Sequence, residues 1–448
     1  RDLHSFPTRR SSDLWQRYEL LLSDAFLTIA NHLRFGKVDP ESLNPSWNLG
    51  DSARRMALEY RLQNAIAEHR VKSVLDEIRP RNPKYEQLKE ALARYRAIVK
   101  AGGWKVIPEG GGALGKGAQG SRVSLLRARL LDSGDLAVKD AAGTTVFTSS
   151  MAEAVKRFQR RNGLEVDGVA GLATIREMNI SAARRVEQIR LNLERYRWFI
   201  NDIEPTYLMI NIAGFSLQYI ENGQYRWETR VIVGQPYRET PVFKADMRYI
   251  VFNPQWVVPP TILAKDALPA IRQDLSYLSR KKLVVIDSGG RVVNPASINW
   301  AQYSAANFPY RLQQLAGDHS ALGRIKFMMP NKHLIYLHDT PTKDLFERSS
   351  RTFSSGCIRV ENPFRLAELV LQDTVRWSKR RIEESIATGK TSTVTLSRRI
   401  PVFLLYLTAV AEDTGVMFRH DIYGRDDRLL QALNAPVPEY RIAGCIGQ

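Results

Sequence analysis

His338-Asp339-Thr340-Pro341, followed after a loop by Ser354-Ser355-Gly356-Cys357-Ile358-Arg359, is the stretch on which the reading of this chain turns. It holds one of only two cysteines in 448 residues, set among small residues, with a histidine nineteen positions upstream. A thiol needs a base or a cationic neighbour to become a thiolate near neutral pH, and an imidazole supplies both. Leu334-Ile335-Tyr336-Leu337 reads as a buried strand that Pro341 stops, so His338 is expected at a strand end, where a base is held rigid. Gly356 would let a substrate carbonyl approach the backbone, where N–H groups could bind a developing oxyanion. A free cysteine is most often a small core residue. Here Ser354, Ser355, Gly356 and Arg359 would make a poor core strand.

Neighbouring positions extend the candidate site. Tyr336 lies two before His338 and points to the same side of a strand, as a pocket wall. Arg359, two past Cys357, shares its face; it either binds a substrate carboxylate or holds the loop, and both readings stay open. Ser355, Trp256 and Asn253 are further candidates for substrate contact, the last two at a strand end that precedes an insertion. His319 and His333 read as surface or structural. The chain lacks an H-E-x-x-H motif or paired cysteines, so Cys357, His333 and His338 do not make a zinc set. No metal and no cofactor is expected.

The period of the sequence changes along the chain. Residues 1–14 lack an apolar run or periodicity and read as foreign to the protein, similar to translated sequencing adapter. Any export signal or membrane anchor is then expected upstream of this sequence. Residues 15–120 read as helices followed by a Gly-rich linker. Tyr18, Leu21, Leu22, Ala25, Phe26 and Ile29 form one stripe, and Tyr85, Leu88, Leu92, Tyr95 and Val99 another. A second helix is expected from Ser52 to His69. Gly110 to Lys116 matches the first part of a phosphate-binding loop, but Gly117 replaces the required Ser or Thr and no buried strand precedes it, so nucleotide binding is not expected.

Residues 121–180 read as a compact helical module, with Ser150 and Glu153 as a capping box opening a helix Met151–Asn162. Residues 181–203 form a connecting helix. From Tyr207 the pattern is that of short strands, including Arg248 to Val258. Residues 204–380 are therefore a mostly-β domain, interrupted at 261–322 by helical and irregular sequence expected to act as a lid. Residues 381–448 complete the core through a strand at Ile400 to Val410. The fold class is α+β multidomain.

His338 with the run Ser354 to Arg359 resembles the L,D-transpeptidase (YkuD-type) catalytic domain. Many relatives have histidine where this chain has Ser355; the larger periplasmic members carry this serine. Tyr95-Arg96 through Gly102-Gly103-Trp104 resembles the helical scaffold domain of large L,D-transpeptidases. Val155 to Arg160, Gly163-Leu164, Asp167-Gly168, Gly171 and Thr174 resemble the three-helix peptidoglycan-binding domain. The resemblance implies a periplasmic acyl transferase in which Cys357 attacks a peptidoglycan stem peptide, D-alanine leaves and a second stem resolves the acyl-enzyme to a 3–3 crosslink. It implies that His338 is oriented by the backbone carbonyl of Asp339, whose side chain points to the opposite strand face. The same acyl-enzyme could instead meet water, a lipoprotein lysine or a D-amino acid. A catalytically silent wall-binding scaffold is the alternative of another class, and intact Cys357 and His338 argue against it.

Composition agrees with a wall enzyme. The apolar share is 44% and the charged share 25%, ordinary for a globular protein, but the net charge is +18. Such charge implies an anionic partner. Dispersed arginines without zinc-finger or RNP-like patterns argue against nucleic acid, whereas wall peptides carry free carboxylates. Pairing of Cys357 with Cys445 would silence the nucleophile. A monomer is expected.

Overall fold

The computed structural model describes residues 9–437 except 46, 50–56, 138–144 and 374; Cys445, and most of the 1–14 segment, lie outside the described residues. The chain divides into two compact units, 1–203 with 407–448, and 204–406.

The first unit is helical. Helix Arg9–Phe35 runs through position 14, so the boundary expected there is not a break in secondary structure. Phe26 and Ala30 are buried with Leu58, Leu62, Ala65, Val74 and Ile78 of helices Ala57–Ala67 and Val71–Ile78. Tyr18, Leu21, Leu22 and Ile29 are exposed, correcting the inward stripe read from spacing. In helix Pro83–Lys100, capped by the Asn82 side chain, Tyr85, Leu88, Ala91 and Tyr95 face inward; Val99 is exposed.

Helices Ser121–Asp132, Ser149–Arg161 and Leu172–Asn179 share one core with Ile107 and Leu114. Leu114 exchanges backbone hydrogen bonds with Ala170, so the Gly-rich stretch is pinned to this module rather than being a flexible linker. The helix from Ser149 is capped by Thr148, not Ser150, and Glu153 pairs with Lys156 instead of closing a capping box. Helix Ala182–Arg197 follows, with Ser181 as its cap.

The second unit is built on a closed sheet. Its strands are β1 (Tyr207–Asn211), β2 (Ser216–Glu221), β3 (Gln224–Gly234), β4 (Phe243–Phe252), β5 (Trp256–Val257), β6 (Leu283–Ile286), β7 (Val292–Val293), β8 (Arg311–Gln314), β9 (Ile325–Met328), β10 (Leu337–His338), β11 (Thr352–Ser354), β12 (Ile358–Val360) and β13 (Ser392–Leu405). The main sheet runs β11-β3-β12-β10-β9-β4-β13-β1-β2, and β2 also pairs β3, which closes the ring from β3 to β2 and leaves β11 as a short edge strand on β3. Strand β13 lies parallel to β1 and antiparallel to β4, so residues far from the site in sequence sit at its centre. The strand expected at Ile400 to Val410 thus begins earlier and ends at Leu405. Val410 belongs to a hairpin of the first unit, β14 (Ala409–Glu412) with β15 (Gly415–Phe418), where Phe418 packs edge-on to Tyr95.

Two further expectations change. The run Arg248 to Val258 is broken at Asn253, which has φ +47°; β4 ends before it and β5 joins a second sheet, β5-β8-β6-β7. The insertion is therefore not only helical. Its helices from Pro260 to Arg280 pack on this small sheet around Ile271, Leu278, Val285, Trp300 and Leu312. The strand before His338 shrinks to Leu337–His338, because Leu334 has φ +57° and is 76% exposed.

Strand alternation sorts the second unit into two faces. Ile250, Phe327, Leu337 and Ile358 are register partners across β4, β9, β10 and β12, and all four are fully buried. The next row, on the other face, is Val251, Lys326, His338, Arg359 and Ile232. Phe327 is the largest side chain of the buried row. Replacing Phe327 with Ala should cost about 3–5 kcal/mol through the cavity it leaves, read as a lowered denaturant midpoint for the second unit. An unchanged midpoint would mean that this row does not hold the sheet.

Candidate active site

Cys357 and His338 come together through two short parallel strands. Leu337 pairs with Ile358 and His338 with Arg359, while the Ile358 N–H donates to the Tyr336 carbonyl at 3.1 Å. That register places Tyr336 beside Cys357 and His338 beside Arg359, all on one face. Tyr336 lies beside the Cys357 sulfur and opposes the rise of its pKa through its backbone and side chain, and the Tyr336 and His338 rings lie 5.7 Å apart. The Cys357 sulfur also lies 3.9 Å from the Leu334 carbonyl.

The loop carrying Cys357 is held from within. Ser354 Oγ donates to the Cys357 carbonyl at 2.5 Å and accepts from the Gly356 N–H at 3.1 Å. Thr240 Oγ1 accepts from the Gly234 N–H at 2.9 Å and donates to the Gly356 carbonyl at 2.8 Å, tying the loop to the β3–β4 turn. Gly356 has φ +115°, which an L side chain rarely adopts. Its N–H is engaged by Ser354, so Gly356 does not offer the oxyanion donor expected of it. The Cys357 N–H, by contrast, has no acceptor among the described residues. Ser354 and Thr240 are the positioning residues that spacing alone did not single out.

His338 is buried, and its Nδ1 donates to the Asp339 carbonyl at 2.5 Å, which leaves Nε2 as the basic nitrogen. The Asp339 carboxylate turns away from the ring: it accepts from the Arg324 N–H at 2.8 Å and from Lys343 Nζ at 2.5 Å. Gly323, at φ +58°, makes room for that carboxylate, since a Cβ there would collide with it.

Burial pushes the His338 pKa down to about 3, helped by Arg359, Lys326 and Lys343 and opposed by the Asp339 carbonyl. Burial raises the Cys357 thiol, opposed by Tyr336, Lys326 and Arg359. Burial also raises Tyr336, with the nearby Cys357 adding to it. The resting pair is therefore thiol and neutral imidazole, not thiolate and imidazolium.

The remaining candidates separate. Trp256, on the inserted subdomain's sheet, lies beside Tyr336 and opposes the burial that raises its hydroxyl. Ser355 is exposed and accepts from Arg238 at 3.0 Å; Arg238 also holds Asp266 of the insertion. Asn253 is not a pocket residue. It is fully buried, and its amide donates to the carbonyls of Ile386 and Lys390 at 3.0 and 3.2 Å, pinning β4 to the helix Lys379–Ala387 region. Its position at the strand end was legible in the sequence, but those distant acceptors were not. Lys326, in contrast, was missed and stands on the site face opposite His338. An isolated lysine within a β-strand carries no motif. Among the described residues no group of three or more His, Cys, Asp or Glu could hold a metal ion.

A cysteine just before one strand and a histidine on the next share a face of a closed β-domain, with an inserted subdomain beside them, and these are residue types that can carry thiol acyl transfer. Residues 205–382 match the "L,D-transpeptidase catalytic domain" family, residues 2–92 the "Scaffold domain" and residues 119–178 the "Putative peptidoglycan binding domain". A relative from Haemophilus influenzae, named "Putative L,D-transpeptidase", is 38% identical over 258 residues, 58% of this chain and 51% of the relative. The chain thus spans about half the length of that curated relative. Solved L,D-transpeptidases also align: one from Stackebrandtia nassauensis, at 13% identity, covers 65% of this chain and 94% of its own with TM-score 0.25. One from Mycobacterium smegmatis, at 11% identity, covers 45% and 58% with TM-score 0.21. Residues 205–382 thus match an L,D-transpeptidase catalytic domain, alongside regions that match scaffold and peptidoglycan-binding domains.

The neutral resting pair has two pH consequences. Alkylation of Cys357 by iodoacetamide, followed on its own peptide by mass, should be slow at pH 7 and keep rising above pH 9, the ordinary thiol value. A plateau below pH 7 would show a preformed ion pair instead. His338 acts on stability at the acid side. The unfolded imidazole binds its proton near pH 6.5 but the folded one only near 3. Its contribution is thus complete above about pH 6.5 and lost as pH falls toward 3. Thermal unfolding at pH 7 and pH 4 should show a drop that His338→Asn reduces.

Proposed function

We propose that this chain is a peptidoglycan L,D-transpeptidase that forms 3–3 crosslinks in the bacterial envelope. The observation that carries the reading is the shared face of Cys357, Tyr336, His338 and Arg359, set by the β10–β12 register. Cys357 is the nucleophile and His338 the base. As sulfur attacks the carbonyl of the third stem residue, the thiol proton passes to His338 Nε2, and the Cys357 N–H binds the oxyanion. The peptide C–N bond then breaks, the proton moves from His338 to the departing amine, and D-alanine leaves. An amine of a second stem attacks the thioester, gives a proton to His338, and the thiolate leaves and is reprotonated.

Because the imidazole is held neutral and oriented by the Asp339 carbonyl, proton transfer is coupled to attack rather than completed before it. Tyr336 lies beside the sulfur and lowers the cost of developing negative charge there. Trp256 lies beside Tyr336 on the inserted subdomain's sheet. The peptidoglycan-binding module would hold the enzyme on its polymer, and the positive net charge suits the carboxylates of stem peptides. Periplasmic residence follows from the substrate, not from a spanning segment; no helix among the described residues is long and apolar enough to cross a membrane.

Incubation with a carbapenem should add the mass of one inhibitor to the wild type and none to Cys357→Ala. No adduct on the wild type would sink the thiol-nucleophile reading. With wall fragments, the muropeptide profile should gain 3–3 dimers. Tripeptides without dimers would make water the acceptor and the enzyme a carboxypeptidase.

A further inference from the structure

Lys326 and Arg359 flank His338 in one row of the sheet. His338 is the register partner of Lys326 across β9 and β10 and of Arg359 across β10 and β12. Among the described residues neither has a carboxylate partner. Lys326 Nζ sits over the Tyr336 ring, 3.8 Å from its centroid. Arg359 reaches only Thr342 Oγ1, at 3.4 Å, and its Nε is buried without an acceptor.

Nearby cations behave differently. Lys343 pairs with Asp339 at 2.5 Å and Arg238 with Asp266 at 2.7 Å. Burial lowers the pKa of both Lys326 and Arg359, with only the Cys357 sulfur opposing. A cation partly removed from water without a counter-ion is costly, and two of them on either side of His338 are a standing demand for an anion. The nucleophile stands on the same face, beside Tyr336, and marks where that anion would be.

We propose that Lys326 and Arg359 form a carboxylate clamp that recognises the free terminal carboxylate of the residue released from the donor stem. This rests on the acyl-transfer reading above. The carboxylate carbon of the leaving residue lies within about 4 Å of the carbonyl carbon under attack, because only the nitrogen and one Cα separate them. A donor bound with its scissile carbonyl at Cys357 therefore brings that carboxylate into the same row of side chains. A stem one residue longer presents a neutral amide there and leaves both cations unpaired. The clamp thus restricts the enzyme to donors that end one residue past the scissile bond, and it makes Lys326 a specificity-determining residue. Elimination stays balanced: the carboxylate is bound as an anion and leaves as one, with no proton exchanged at the clamp.

The test uses the full chain and two tetrapeptide donors that differ only at the terminus, free acid or carboxamide. The wild type should prefer the acid by about ten- to hundredfold in kcat/KM, the range of a charge-assisted contact. Lys326→Met should lose that factor on the acid and little on the amide, bringing the ratio near one. Lys326→Arg should keep both the preference and the wild-type pH profile of Cys357 alkylation, whereas Lys326→Met should move that profile to higher pH, because Lys326 opposes the burial that raises the thiol. Equal turnover of acid and amide by the wild type overturns the clamp without any variant. Equal loss on both donors in a folded Lys326→Met also overturns it and makes Lys326 a counter-ion of the thiolate alone. Absence of acylation by either donor and by a carbapenem would instead sink the acyl-transfer reading itself.

Discussion

The parallel pairing of β10 with β12 is the constraint on which this site depends. It involves two residues on one strand and three on the other, and it decides that Tyr336, Cys357, His338 and Arg359 share a face. A slip by one residue would turn His338 into the buried row and Leu337 toward the substrate. The register is secured by what lies behind it. Phe327, Leu337, Ile358 and Ile250 are wholly buried, and a shift would place charged residues in their stead. The hydrophobic row thus acts as the positioning device for the polar one.

Electrostatics at the site follow from the same geometry. His338 is enclosed, bound through Nδ1 to a backbone carbonyl and bracketed by cations, so its imidazole stays neutral. Cys357 is half-buried, and burial keeps its thiol protonated at neutral pH. Such a pair is quiet in the absence of an electrophile. In the proposed attack, negative charge would develop where Tyr336, the Cys357 N–H and the cations of the row already stand. Asp339 shows the division of labour within one residue: the carbonyl orients the imidazole, while the carboxylate holds Lys343 and the Arg324 amide.

The inserted subdomain has its own sheet and core, yet it meets the site through few residues. Trp256 reaches Tyr336, and Asp266 pairs with the Arg238 that also donates to Ser355. Both contacts touch residues beside the nucleophile rather than the nucleophile itself. Movement of this subdomain would therefore alter the setting of Tyr336 and of the Ser355 turn while leaving the barrel register intact.

How much of this was legible in the chain differs by level. Cys357, His338 and the glycine between small residues stand out because nucleophile, base and tight turn each demand a particular residue type at short spacing. The change from helical to strand period marked where the second unit begins, since each period places apolar residues on one side only of its own element. Lys326 and Thr240 carried no such signal. One is a lysine in a strand and the other a threonine in a turn, and each acquires meaning only through a partner strand or loop. Asn253 misled for the same reason, because its acceptors lie more than a hundred residues away. The sequence by itself determined which atoms can do chemistry, since that is a property of side chains. Tertiary structure decided which of them face one another, because strand register and loop closure are set by distant hydrophobic residues that no local pattern contains.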